Sequence, residues 1–255
     1  MKPHTSTRTQ HERSEQSRER ILDTAIGIFG ERGLAGARTE EIATQAGVNK
    51  ALLYYYFRSK EEIYRAAIEL VIERMLSRVL ATLETGETAG EKLARFVLNH
   101  FDNLHARQSS HKLLHQEMMH LKQDGESKQS ALALKFFGPV VKRLSALVKE
   151  GQRKGELIDS DPWQMINSAL GANAFYFFSA PISGLLAPRD PLSRAELKRR
   201  RTIAIEHLGR TLFCDRLQGE QVAQRVLAST PMPASTALEQ WRSHHHHHEI
   251  EGKHK

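Results

Sequence analysis

The sequence predicts an all-helical protein, and three observations carry that prediction. Apolar residues recur every three or four positions through most of the chain, the spacing that puts them on one face of a helix. Capping and stop residues punctuate this pattern at helix-length intervals, as at Ser59 with Glu62, Asp161-Pro162, and Ser193 with Glu196. Nothing reads as a sheet, and no internal repeat is visible.

The elements follow in order. Residues 1–13 are polar and aperiodic and are expected to form a disordered arm. From Glu15 the pattern is helical, with Ile21, Leu22, Ala25, Ile26 and Phe29 on one face and Gly33 as a natural stop. Thr39 is expected to cap a short second helix with Glu40 and Glu41 in its first turn, where the helix dipole favours negative charge. That helix turns Ile42 and Ala43 inward and ends at Gly47. Asn49 caps a third helix through Tyr56, and Ser59 a fourth as far as Leu83. Helical segments over 89–106, 110–123 and 127–153 come next, with Pro139 breaking or kinking the last. Asp161-Pro162 opens a strongly apolar helix to about Ser179, and Ser193 opens another to about Arg216. Residues 218–255 are expected to be a flexible tail, in which 221–228 could hold a weak helix and Pro-Met-Pro at 231–233 suggests a linker. His244–His248 after Arg242-Ser243 resembles an engineered purification tag, with a native histidine tract as the alternative.

Composition narrows the function classes. The 255 residues carry a formal charge of +7, and residues 1–60 hold 10 Lys and Arg against 7 Asp and Glu. This balance is compatible with a polyanionic partner. One cysteine, Cys214, can form neither an internal disulfide nor a cysteine-built zinc site, which fits a reducing compartment. The polar N-terminus lacks the apolar core of a signal peptide, and no unbroken run of about 18 apolar residues reads as a membrane span. A cytoplasmic location is expected.

The informative stretch is TEEIATQAGVNKALLYYYFRSKEEIYRAAI, residues 39–68. It holds two short helices around a tight turn at Ala46-Gly47-Val48, where glycine suits the left-handed corner. The second helix offers Lys50, Tyr54, Tyr55 and Tyr56 within two turns, on an element that fits the major groove of DNA. Successive helical residues point about 100° apart, so three consecutive tyrosines cannot share one buried face. An exposed hydroxyl there can donate to a phosphate oxygen. Lys60, at the start of the next helix, adds positive charge beside free backbone amides.

This segment resembles the TetR (AcrR-like) family of bacterial regulators, through T-x-x-I-A-x-x-A-G-V followed by L-Y-x-Y-F-x-S-K-E-x-I. The resemblance covers residues 15–68; beyond them it extends only to size and helical content. It implies a three-helix helix-turn-helix domain over 14–62 and a larger helical bundle for ligand binding and dimerisation over 63–217. Lys50, Ala51 and Leu52 then stand where the family contacts bases or nearby backbone, and Thr39, Tyr55, Tyr56 and Lys60 where it contacts phosphates. Glu40 has two readings: it accepts from cytosine N4, or it only caps the helix dipole. Tyr54 and Phe57 read as packing residues. Ala51 stands where glycine is common, and Leu52, where threonine often sits, brings no hydroxyl for a phosphate. The resemblance further implies a homodimer through helices near 162–179 and 194–216, a near-palindromic double-stranded DNA operator, and release of a repressor by a small-molecule effector.

An effector pocket is expected among the helices at 89–106, 110–123, 135–153 and the start of 162–179. Phe96, Phe101, Leu104, Leu114, Met118, Phe136, Phe137 and Phe175 are its candidate liners, plain core being the competing reading of each. The alternative function is a metal-dependent helical enzyme built on His100, His105, His111, His115 and His120. His111 and His115 share a helix face, but no Glu follows His111, so the His-Glu-x-x-His metalloprotease pattern is absent. With no nucleophile motif and no phosphate loop, no catalytic residue, metal or cofactor is expected. A third reading is a helical interaction protein that never binds DNA.

Overall fold

The computed structural model describes residues 5–119 and 128–233, with side chains described over 12–119, at 134 and over 137–233. Among the described residues there are ten helices: α1 (Thr5–Gly36), α2 (Thr39–Gln45), α3 (Lys50–Tyr56), α4 (Lys60–Leu83), α5 (Ala89–Ala106), α6 (Gln108–Met119), α7 (Lys128–Arg153), α8 (Pro162–Leu186), α9 (Arg194–Leu212) and α10 (Arg216–Ser229). One isolated antiparallel bridge joins Leu157 to Phe213. The helices form two compact units, divided within α4 after Leu76 and within α7 after Phe136.

The first unit contains α1–α3, most of α4, and α6. Its core is Ile21, Leu22, Ala25, Phe29, Ile42, Leu53, Phe57 and Ile63, all nearly or wholly buried. α6 lies against α1 so closely that a Cβ on Gly30 would stand 2.5 Å from the Ser109 carbonyl oxygen. Gln116 donates to the Gly30 carbonyl at 3.3 Å, and Tyr64 of α4 donates to Glu117 at 3.2 Å. Burial and the Glu117 carboxylate push the Tyr64 hydroxyl up to about 12, so it remains a donor at any physiological pH.

The second unit contains the end of α4, α5, most of α7, and α8–α10. α5 is its centre, with Leu93, Ala94, Phe96, Val97, Leu98 and Phe101 buried. α9 and α10 cross at Gly209 and Gly219, where a Cβ on Gly219 would fall 1.9 Å from the Gly209 carbonyl oxygen. Only two residues without side chains allow that approach. Asp215 caps α10 by accepting from the amides of Leu217 and Gln218.

Several boundaries differ from expectation. The arm expected over 1–13 is helical from Thr5, residues 1–4 lying outside the described residues. No Gly or Pro stands between Thr5 and Gly27, and adding residues to an existing helix is cheap. α1 is interrupted at Gly33 (φ 66°, ψ 178°), the stop residue. Thr39 does not cap α2: the cap position is Arg38, with no side-chain bond. α7 runs through Pro139 without a break. α8 extends seven residues past Ser179, and the tail expected from 218 begins instead with α10, because Val222, Ala223 and Val226 bury themselves in this unit. The His244–His248 tract lies outside the described residues.

α8 also revises the reading that no segment is apolar enough to span a membrane. Asn, Ser and Gly interrupt its apolar runs, yet an 18-residue window has a mean hydropathy of 1.3, and only 11% of that window is buried.

Candidate functional site

α2 and α3 meet at a corner built from backbone bonds. Ala46 ends α2 by donating to Ile42 O at 2.9 Å, and Gly47 donates to Thr44 O at 3.1 Å. Gly47 sits at φ 66°, the left-handed region that glycine enters without strain, and Val48 then donates to Ala43 O at 3.0 Å. Asn49 caps α3 by accepting from the Leu52 amide at 2.7 Å. Leu53 and Phe57 are buried, which anchors one face of α3 and turns the other outward.

The outward face carries most of the residues picked from the sequence. Glu40, Lys50, Ala51 and Tyr55 are exposed, Tyr55 to 79%. Leu52, Tyr56 and Lys60 are half-buried. Tyr56 shares a hydrogen bond with Ser14 of α1 at 2.9 Å, and Lys60 donates to the Ala37 carbonyl at 3.3 Å. Thr39 is buried, its hydroxyl 3.2 Å from that of Tyr54. Tyr54, expected to pack, is instead 40% exposed, and Phe57 is core.

α2 and α3 are tied by a contact that was not expected from the sequence. Lys50 Nζ donates to Glu40 Oε1 at 2.5 Å and lies 5.9 Å from the centre of the Tyr54 ring. The hydrogen bond from Lys50 holds the Glu40 carboxyl below the usual carboxylate range, and the same bond raises Lys50. Ten residues of separation with a turn between them left no spacing signal for this contact.

The second unit holds only part of the residues expected to line an effector pocket. Phe96 and Phe101 are buried, and Leu104 and Phe137 half-buried. Phe175 is 66% exposed and points away from the core, because Phe177 and Tyr176 take the places against Phe101 at ring distances of 5.1 and 6.1 Å. Leu114 is buried and Met118 exposed, both in the first unit; the Phe136 side chain lies outside the described residues. A shallow cleft of about 450 Å³ lies elsewhere, around the α8–α9 turn from Ala180 to Leu192.

Polar groups pin this unit internally. Arg201 of α9 forms two parallel bonds to Asp102 of α5, at 2.8 and 3.0 Å, and donates to the Thr230 carbonyl at 2.7 Å. Burial pushes the Asp102 carboxyl up against the opposing pull of Arg201, and burial lowers the nearby His105. Asn173 of α8, buried, donates to Val97 O at 2.9 Å. Tyr176 donates to Pro191 O at 2.5 Å, with the Arg200 guanidinium 5.4 Å from its ring centre.

His100 and His105 belong to the second unit, His111 and His115 to the first, and His120 lies outside the described residues. Among the described residues no three His, Cys, Asp or Glu side chains are placed to hold a metal ion.

Residues 21–67 match the family described as bacterial regulatory proteins, tetR family. Residues 89–208 match the tetracyclin repressor-like C-terminal domain. The HTH-type transcriptional repressor NicS of Pseudomonas putida is 27% identical over 158 residues, which are 58% of this chain and 69% of NicS. Two solved structures share the fold. A transcriptional regulator from Saccharomonospora viridis in complex with choline aligns with a TM-score of 0.62 at 19% identity, over 79% of this chain and 100% of its own. AibR, in complex with isovaleryl coenzyme A and operator DNA, aligns with a TM-score of 0.58 at 20% identity, over 76% of this chain and 97% of its own.

Proposed function

The chain belongs to the TetR family of bacterial regulatory proteins, and from that premise we propose a cytoplasmic repressor that binds its operator as a homodimer and leaves it when a small molecule binds. The observation that carries the DNA-binding part is α3: a short helix anchored by Leu53 that presents Lys50, Ala51 and Tyr55 to solvent beside the Gly47 corner. A helix so mounted reads base edges with its first residues and meets phosphates with its flanks. Lys50, Ala51, Leu52 and Glu40 are assigned to the base edges, and Tyr55, Tyr56 and Lys60 to phosphates. Thr39 acts through its bond to Tyr54 rather than by direct contact.

Dimerisation is assigned to α8 and α9. On α8, Phe175, Phe178, Ile182 and Leu185 recur at steps of three and four and are 61–87% exposed, while Ile166, Asn173 and Ala180 are buried on the other side. A seam of that kind needs a partner helix. The repressor sign rests on NicS, which is a repressor by name. An effector is supported by the choline and isovaleryl coenzyme A held by the two structural neighbours. In this chain Leu104 and Phe137, half-buried in the second unit, are the proposed apolar contacts for it, and Phe96 and Phe101 are core.

The test is selection of duplexes from a random double-stranded DNA pool by the full chain. A near-palindromic sequence, with half-sites about one helical turn or slightly more apart, is expected. Lys50→Ala and Tyr55→Ala should each weaken binding to that sequence roughly tenfold. Unchanged binding by both variants overturns the assigned surface.

A further inference from the structure

Lys50 is not a free cation. Its ammonium is held by the Glu40 carboxylate at 2.5 Å and lies over the Tyr54 ring. The Tyr54 hydroxyl meets the Thr39 hydroxyl at 3.2 Å, and Thr39 donates back to Glu40 at 3.4 Å. Four side chains thus form a closed ring across the α2–α3 corner, with Glu40 and Lys50 both more than half exposed at its outer edge. Glu41, beside it, is engaged separately by Arg32 at 2.6 Å.

An exposed ion pair is weak, so DNA can open it or take it up intact. The relevant question is what the pair presents. A lone lysine is attracted to any phosphate, whatever the sequence. A lysine already matched by a carboxylate adds almost nothing to that non-specific attraction, and the carboxylate is repelled by phosphates. As one unit the pair offers a donor beside an acceptor. In the major groove, guanine O6 is an acceptor directly beside the cytosine N4 donor. On an A·T pair the unit can set its carboxylate on adenine N6 and its ammonium on N7 or thymine O4, but the other acceptor then flanks and repels the carboxylate, whereas cytosine N4 has only a C–H on its far side.

We propose that Glu40 is a specificity-determining residue: it keeps Lys50 off the phosphates of non-cognate DNA and, with Lys50, reads one G·C pair in each half-site through cytosine N4 and guanine O6. This inference rests on the DNA-binding reading above. It adds that the acidic residue, which weakens DNA attraction overall, is the source of discrimination at one position.

The experiment compares wild type, Glu40→Gln and Lys50→Ala, each as the full chain, in selection from a random duplex pool. The selected duplex and a scrambled duplex are then titrated across salt concentrations. Circular dichroism checks that each variant is folded, which both exposed sites should tolerate. For Glu40→Gln, binding to the scrambled duplex should tighten about three- to tenfold, with a salt slope steeper by about one ion. The preference for G·C at one symmetric position should fall about tenfold or more, while the remaining positions persist. Lys50→Ala should lose preference at the same position. If wild type selects a sequence and Glu40→Gln selects the same one with unchanged scrambled-duplex affinity, the inference is overturned and the DNA-binding reading stands. If wild type selects no sequence, both fall.

Discussion

α3 and α8 both push large side chains into solvent, and they do it with opposite chemistry. α3 exposes Lys50 and Tyr55, groups of the kind that can donate hydrogen bonds to phosphate or base edges. α8 exposes Phe175, Phe178, Ile182, Leu185 and Leu186, which meet only another apolar surface. Each helix is anchored by the face it buries: Leu53 for α3, and Met165, Ile166, Asn173 and Ala180 for α8. The difference teaches that an exposed face is informative by its chemistry rather than its size. A polar one on a short helix suits a charged partner, and an apolar one on a long helix suits another apolar surface.

The largest expected effect strikes the anchoring of the α8 unit rather than its face. Arg201→Ala leaves the Asp102 carboxylate buried and unpaired and releases the Thr230 carbonyl. It should cost about 3–5 kcal/mol in urea unfolding. A loss under about 1 kcal/mol would mean that the pair does not hold the unit together. Next comes the face itself. Phe178→Glu with Leu185→Glu, both at exposed positions, should leave the fold intact but give monomers by analytical ultracentrifugation. Affinity for the selected duplex should then fall about a hundredfold or more as the two half-sites bind separately. A persisting dimer would break the contrast between the two helices.

A smaller effect sharpens the α3 side. Tyr55→Phe keeps the ring and removes only the hydroxyl, so duplex affinity should drop about threefold; an unchanged value would assign Tyr55 to stacking or shape rather than to a phosphate bond. The smallest concerns pH. Burial lowers His105, so between its folded value and the ordinary value of about 6.5 the unfolded chain binds more protons than the folded one. Stability is therefore lost as pH falls through that window. The thermal midpoint of His105→Gln should decline less between pH 7 and 5 than that of wild type, and parallel declines would remove His105 as the cause.

Much of this architecture was legible in the chain. The capping residues Asn49, Ser59, Asp161 and Ser193 stand where helices begin, because a cap is a local hydrogen bond read within three residues. α10 was largely illegible. Only a weak helix over 221–228 was expected, because the full helix depends on Val222, Ala223 and Val226 finding α9 and α5, and the purpose of Gly209 and Gly219 appears only where they cross. Phe175 illustrates the same limit: in a helix apolar on every side, periodicity cannot say which aromatic faces inward.

The helical class, the Gly47 corner and the residue types on α3 are legible along the chain, since these follow from periodicity, caps and left-handed glycine, all of short range. Packing fixes that Lys50 is shared with Glu40, that Thr39 turns inward to Tyr54, and that Phe177 rather than Phe175 meets Phe101. Those outcomes depend on which side chains from distant turns compete for the same space and the same hydrogen bond, and that competition is settled when the helices pack.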